Sequence, residues 1–551
     1  GRSAPWTRAG APVSAGLRLG APVPRPTAPP AAALGLALLS CGGPPALPDE
    51  PQFVRGGLIV PAGAAPAGAG QALADGRVLL TQAWAPGAAV ELVGPGGAVR
   101  GTAPLVPECA ALFRVPLGDL RAAAARGAPA PDTALAFSPD GRWLAVGTAD
   151  GTLLVVDGWT GAARARRRLP EAMVKGLAWS ADGAALYVAE QSPEATLRAV
   201  DPATLADRWT LRLADRVEPS AAPAGEDLFG VYSLPAGFGL ARLPDGALLV
   251  AAAHSWRAAG VHRNLSQLLK ISPDGVVLDQ WPSAPVDATL LHPRASPDGG
   301  ALALVVGRSA EGPPPPDLPI PAVALLSAGP LGAPRFVQTP ALAPWFSAAL
   351  VWEALALDVE ADVLAIGFAD GRLALHHADG RPRALLSPGA PVLAGELPLA
   401  ASVGAVRIGP GQVVFTTTYT QIPFGAAAPD LRPTGVHPAE NTLWSVNLDG
   451  STRWRWAGGH RLEALARGPG PLLAAAAGAR TADDRRDLFG VLVFDLDTPA
   501  GGDPLTLRCP TASPVTFAPA WAPDGRIAVA THPAKGADGQ AFGDYDLLVL
   551  R

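Results

Sequence analysis

The sequence predicts an all-β fold, a single β-propeller of four-stranded antiparallel blades. Three observations lead there: a hairpin unit that recurs along the chain, tight Asp-Gly turns at the same place in most copies, and a final unit one strand short of four. At 551 residues, 49% hydrophobic and 17% charged, the chain has ample material for a large core.

The clearest copy is LAFSPDGRWLAVGTADGTLLVVDGWTG, Leu135 to Gly161. Two strand-like runs flank the turn Pro139-Asp140-Gly141, and a third follows Asp150-Gly151. Gly tolerates positive φ and Asp bonds the following backbone, so these are hairpin turns between aliphatic and β-branched strands. Related units begin at Leu177 (LAWSADGAALYVA), Leu240 (LARLPDGALLVAA), Pro293 (PRASPDGGALALVVG), Leu355 (LALDVEADVLAIG) and Ala518 (APAWAPDGRIAVA). Weaker copies stand at Gln71, Val406 and Leu465. The nine turn residues are Asp75, Asp140, Asp182, Asp245, Asp298, Asp362, Gly411, Gly470 and Asp524, and they recur every 42 to 65 residues. Such a sustained period marks a repeat architecture, here of eight or nine blades.

A second turn recurs within most units, at Gly94, Gly158, Asp201, Ser272, His377 and Asn447. It joins a third strand to a fourth. Four-stranded sheets with exposed edges are best protected by packing around a ring. The last unit ends in DYDLLVLR at Arg551 with only three strands, so the closing strand is expected from the N-terminal segment QFVRGGLIV near Gln52. This gives a leader over 1–50 and a propeller over 51–551.

The blade phrases FSPDGRWLAVGTADGTLLVVD and LWSVNLDGSTRWRW resemble the WD-repeat and pyrroloquinoline-quinone-type (quinoprotein-like) β-propeller superfamily, from about residue 52 to 551. Trp454 follows its turn as in quinone-type blades, with Trp209 and Trp281 similarly placed. The chain does not repeat the Gly-His and Trp-Asp pairs of WD repeats and lacks the adjacent cysteine pair of the quinone dehydrogenases, and no cofactor is expected. The pattern also resembles the propeller lipoprotein that helps assemble outer-membrane proteins, with longer loops.

Residues 1–30 are a Pro, Ala and Arg tract without hydrophobic periodicity. Arg25, the apolar run Ala31 to Leu39 and Leu38-Leu39-Ser40-Cys41 then resemble a bacterial lipobox. That resemblance implies acylation of Cys41 and a lipid-anchored domain at the cell envelope; the other reading is an apolar stretch in a leader. Cys109 and Cys509 remain, either as a disulfide in an oxidising compartment or as two unrelated buried thiols.

Because alternate connections of a meander lie on opposite faces of a ring, first and third connections share one face, and these are the tight turns. Second connections are long at His254 to Gln267, Gly307 to Pro321, Thr420 to Asn441, Gly478 to Gly490 and Thr531 to Asp544. The links between blades, including Asp215 to Gly237 and Leu386 to Ser402, join them on the elaborated face. Binding residues favour loops held by a rigid scaffold. The binding-face candidates are therefore His254, Trp256, His262, Tyr419, Phe424, His437, His460 and His532.

No pair of these histidines has metal-ligand spacing, and neither a metal nor a catalytic residue is assigned. His376-His377 alternate across a strand and could not chelate one ion together. The run Asp483 to Asp487 reads as a solvated, internally paired loop, and Pro313 to Pro316 as a stiff polyproline segment. P-loop, HExxH, CxxC and calcium-loop motifs are missing from the sequence. The formal net charge of -5 argues against nucleic acid as a partner. Two functions follow: a monomeric, non-catalytic scaffold whose elaborated face binds protein or glycan, or a propeller hydrolase or oxidoreductase with its site at the channel mouth.

Overall fold

A computed structural model describes residues 108–126, 132–218, 234–258, 261–308, 318–339 apart from 321 and 328, 354–394, 397–418, 437–478, 489–536 and 539–551, with the backbone of short strands between 52 and 104. Residues 108–551 form eight four-stranded antiparallel blades. Blade 1 contains Ala134–Phe137, Trp143–Gly147, Thr152–Asp157 and Ala163–Arg168, innermost strand first. The innermost strands of blades 2 and 3 are Met173–Trp179 and Ala236–Arg242. The 19-residue strand Val277–Ala295 is outermost in blade 3 over its first half and innermost in blade 4 over its second. Ala354–Glu360, Val403–Gly409, Leu462–Arg467 and Ala520–Trp521 begin blades 5 to 8.

The turns behave as their chemistry demands. Asp140 Oδ1 accepts from Ser138 Oγ at 2.6 Å and from the amide of Arg142 at 3.0 Å, and Asp182 repeats both bonds with Ser180 and Ala184. Gly141, Gly183, Gly246 and Gly299 follow these aspartates with φ between 69° and 85°.

Ring closure is visible in the packing. Each innermost strand contacts that of the next blade, and the series returns from Ala520–Trp521 to Ala134–Phe137. Eight apolar clusters fill the eight junctions. Val155, Val174 and Val188 lie between blades 1 and 2, and Val146, Val156, Leu547 and Val549 between blades 8 and 1. Burial of such side chains contributes roughly 1.5–3 kcal/mol each before conformational entropy is counted.

Two expectations require correction. The closing strand is Ala111–Gly118, which pairs with Tyr545–Leu550 from Leu550↔Ala111 to Tyr545↔Gly118, and the segment near Gln52 does not supply it. Gln52–Val54, Gly57–Pro61, Gln71–Ala72 and Arg77–Leu80 instead form a four-stranded sheet of their own. The hairpin around Asp75 belongs there, which explains why nine turns yield eight blades. Sequence could not choose between two amphipathic segments, because only long-range pairing with the C-terminal strand distinguishes them.

Two further devices clamp the closure. Cys109, just before the closing strand, is disulfide-bonded to Cys509 on the outer strand of blade 7, with Cα atoms 4.7 Å apart. Its amide also donates to the Arg508 carbonyl at 2.8 Å. The second device is Arg526 in blade 8, at 1% exposure, which projects into blade 1. Nη2 donates to the Gly141 carbonyl at 2.7 Å, Nη1 to the Gly158 carbonyl, and Nε to Asp524. The guanidinium stacks over Trp159, 3.9 Å from the ring centroid.

We predict that Cys109→Ser, or reductant added to the wild type, lowers stability by about 2–4 kcal/mol in denaturant unfolding, since the bond closes a 400-residue separation. Arg526→Ala is expected to cost about 3 kcal/mol, because two inward-facing carbonyls lose their donor. Closely matching midpoints for Arg526→Ala and wild type would show that the clamp is redundant.

Candidate functional site

The elaborated face is built as the meander requires, and two of its histidines, His254 and His437, tie it to neighbouring links. His254, 3% exposed, lies within the second strand of blade 3, Leu248–Ala258; its Nδ1 lies 3.1 Å from the Val217 carbonyl in the link from blade 2. The ring stacks on Trp256 with centroids 4.4 Å apart. His437 belongs to the long connection of blade 6. Its Nε2 lies 2.9 Å from the Ala390 carbonyl in the preceding link, and its Nδ1 accepts the Ala439 amide at 3.0 Å. His460 lies in the next link, with Nδ1 2.9 Å from the Gly458 carbonyl and its ring against Trp456.

His532 is different in kind. At 1% exposure it sits between Phe517 and Tyr545, at centroid distances of 5.2 and 5.0 Å, and neither ring nitrogen has a hydrogen-bond partner among the described residues. Loss of hydration pushes its pKa down to about 4, so the ring is neutral near pH 7. Beside it, Tyr545 Oη shares a 2.8 Å hydrogen bond with Thr133 Oγ1.

Four described histidines thus occupy different blades or links and engage neighbours there. Tyr419, Phe424 and Cys41 lie outside the described residues, as does the side chain of His262. The stretch His254 to Gln267 is not a loop, as expected, but a continuation of two paired strands, Leu248–Ala258 and Val261–Ile271, in register to Ala258↔Val261. The alternating residues of this ribbon gave no turn signal until its tip. His377 Nδ1 pairs with Asp362 at 2.8 Å and His376 Nδ1 lies 3.2 Å from the Gly380 carbonyl, so the doublet is structural.

The charges that sequence reasoning missed line the axis of the ring. Asp358 Oδ2 of blade 5 accepts the Ile408 amide of blade 6 at 2.8 Å. Arg467 of blade 7 spans blade 6, donating to the Ile408 carbonyl at 2.9 Å and to Glu360 of blade 5. Among the described residues Arg407 donates only to its neighbour Val406, at 2.7 Å. Its pKa is pushed down to about 10 by burial and by the charge of Arg294, against the pull of Asp358.

Blades 3 and 4 depart from the others here. Bulges in blades 2, 5, 6 and 7 lie near the start of the innermost strand, between Val174 and Gly176 and at equivalent places. In blades 3 and 4 they lie further along, between Phe238 and Ala241 and between Leu291 and Arg294. Each contains a residue with positive φ, Gly239 at 66° and His292 at 51°. Gly239 meets Pro293 so closely that a Cβ would stand 2.3 Å from its Cγ. Desolvation by the surrounding protein and then the charge of Arg294 hold the His292 pKa down, at about 4. Beside the bulges, Gly239 to Arg242, Pro244 and Pro293 to Pro297 line a half-open cavity of about 420 Å³.

Among known families, residues 133–157, the first three strands of blade 1, match the WD domain, G-beta repeat (WD40) model. No curated protein matches the chain. Among solved structures the chain is similar to the C-terminal WD40 domain of Sif2, at 14% identity and a TM-score of 0.46, covering 81% of this chain and 98% of that one. The computationally designed Ika8 protein is similar at 16% identity and a TM-score of 0.43, covering 76% and 96%. The β-propeller domain of Cps50 (Swd1) from Myceliophteria thermophila is similar at 12% and 0.34, also covering 76% and 96%.

His532 generates a pH prediction. Its folded pKa of about 4 lies below the ordinary 6.5, so the unfolded chain takes up the proton first. Its stability contribution is complete above pH 6.5 and is lost as the pH falls towards 4, by about 3 kcal/mol in all. His532→Phe, which keeps the aromatic stack, is expected to remove that part of the slope in unfolding midpoints measured between pH 7 and 4.

Proposed function

We propose that this chain is a non-catalytic binding scaffold, a propeller tethered at the bacterial cell envelope through a lipid on Cys41, whose elaborated face binds a protein or glycan. The observation that carries the reading is the use of histidine on that face. His254 reaches the link from blade 2 and His437 the link from blade 5, so these imidazoles brace connections that a binding surface needs held still. Further bracing comes from Phe489 and Phe542, stacked 5.9 Å apart between the connections of blades 7 and 8. The all-β ring and the WD40 match over 133–157 are consistent with a protein-binding scaffold. The Cys109–Cys509 disulfide supports an exported location, because such bonds persist in oxidising compartments.

Affinity capture from envelope extracts tests the face. The intact domain should retain a partner that is lost when the connections 420–441 and 478–490 are shortened; retention of the same partner by both would remove the elaborated face from consideration. The tether has its own test. Cys41→Ala expressed with its leader should move the protein from the membrane fraction to the soluble one and abolish incorporation of labelled palmitate.

A further inference from the structure

The cavity beside the paired bulges lies on the opposite side of the ring from the elaborated face. Pro244 and Pro297, in its wall, belong to the tight first turns. The bulge is the device that makes it. An extra residue in an innermost strand re-aims the side chains that follow, and two bulges facing one another across one blade junction leave a gap that regular strands would fill. Gly239 and Pro293 hold that junction together, since a larger residue at 239 would drive the strands apart.

Arg242 and Arg294 both border the gap. Both are exposed, and neither has an ion pair or hydrogen bond among the described residues. The contrast with their counterparts is informative. Position 242 corresponds to Trp179 in blade 2 and Trp521 in blade 8, which donate through Nε1 to the Ala136 and Ala466 carbonyls of the preceding blades, at 2.9 and 3.1 Å. Blade 3 makes no such bond at this position, and a guanidinium stands at the cavity instead. Arg294 further repels Arg407 within the ring. Arg294 and Arg407 thus lie within repelling range of one another, and Arg242 and Arg294 have no counterion among the described residues, in a chain whose net charge is -5. Proline, alanine and leucine supply most of the remaining wall, with Gly239 and Ser296.

We propose that this cavity is a binding site for a small organic oxyanion, in which Arg242 and Arg294 grip a phosphate or carboxylate group while the proline-lined wall receives an apolar body. Guanidinium forks match either oxyanion through charge-assisted paired hydrogen bonds. The dimensions suit a ligand of one ring or a short chain, because pockets for drug-sized molecules begin at about 300 Å³. The site is separate from the elaborated face, and neither proposal depends on the other.

Isothermal titration of the full chain with phenyl phosphate and with benzoate tests the site, with inorganic phosphate and aniline as probes of the anion and the ring alone. One phenyl phosphate or benzoate per chain should bind, and whichever binds more tightly identifies the oxyanion. Arg242→Gln and Arg294→Gln should each weaken binding at least about ten-fold, the order expected for loss of a charge-assisted contact. Arg→Lys at either position should recover only part of it, because the point charge survives without the fork. Both side chains are exposed, so melting midpoints of the ligand-free variants should stay at the wild-type value. Arg208→Gln, which breaks a surface pair with Asp201, is the control and should leave binding unchanged. Absence of heat with both organic anions up to millimolar concentration would overturn the proposal. So would binding that both arginine variants retain, or aniline binding as tightly as the anions.

Discussion

Everything in this structure depends on joining the eighth blade to the first. A ring of blades is a linear series of sheet-on-sheet contacts until its ends meet, and the unclosed form exposes two apolar faces at once. Here the closing contact is made several ways. Ala111–Gly118 completes the last blade by main-chain pairing with Tyr545–Leu550, the disulfide fixes the start of that strand to blade 7, and Arg526 penetrates blade 1. These devices act on different degrees of freedom. Strand pairing sets register, the disulfide limits how far the strand can peel away, and the guanidinium sets the distance between blades 8 and 1. Arg526 is buried without the usual penalty because Asp524, two carbonyls and the face of Trp159 replace its hydration.

Within that frame the junctions are nearly interchangeable, and this determines what could be read from sequence. The hairpin turns were legible because Asp140, Asp182 and Asp298 solve the same local problem with the same bonds, a matter of six consecutive residues. The two unequal faces were legible because they follow from the direction of a meander alone. Closure was not. It joins residues about 430 positions apart, and the amphipathic patterns near Gln52 and near Ala111 are alike. Cys109 and Cys509 posed the same difficulty, since their proximity results from closure and not from anything adjacent to either cysteine.

The histidines show a subtler limit. Sequence assigned them to the elaborated connections, where histidine suggests a display of chemistry, yet His254 lies within a paired strand. Their environments run the other way: His254 and His437 are at 3% and 2% exposure and reach backbone carbonyls of neighbouring links, and His532 is enclosed by aromatic rings. An imidazole can bridge a loop to a link because it is compact and carries a polar atom on each side, a property independent of acid–base function. The arginines at the axis gave the opposite signal. Arg242 and Arg294 sit inside the repeat phrases LARLPDG and PRASPDG, where they look like interchangeable surface residues. What could have drawn notice was the alignment of Arg242 with Trp179 and Trp521, a charge where two equivalent strands carry an inter-blade donor.

Such a departure is tolerable because stability in a repeat ring is approximately a sum over neighbouring contacts, so one junction can lose regularity without weakening the rest. The junction between blades 3 and 4 supports its bulges from further out. Leu249, Ala251, Leu268, Leu290, Leu302, Leu304 and Val306 are all fully buried there. Lys270 Nζ also reaches the Gly329 carbonyl at 3.0 Å and Asp245 at 2.9 Å, tying the turn of blade 3 to blade 4. Strain at Gly239 and His292 is thereby confined to the axial edge of a well-packed interface. Elsewhere that edge is spent on holding blades together, through Trp179, Trp521, Asp358 and Arg467. At this one junction the outer core and Lys270 do that holding, and the axial residues are left available for a ligand.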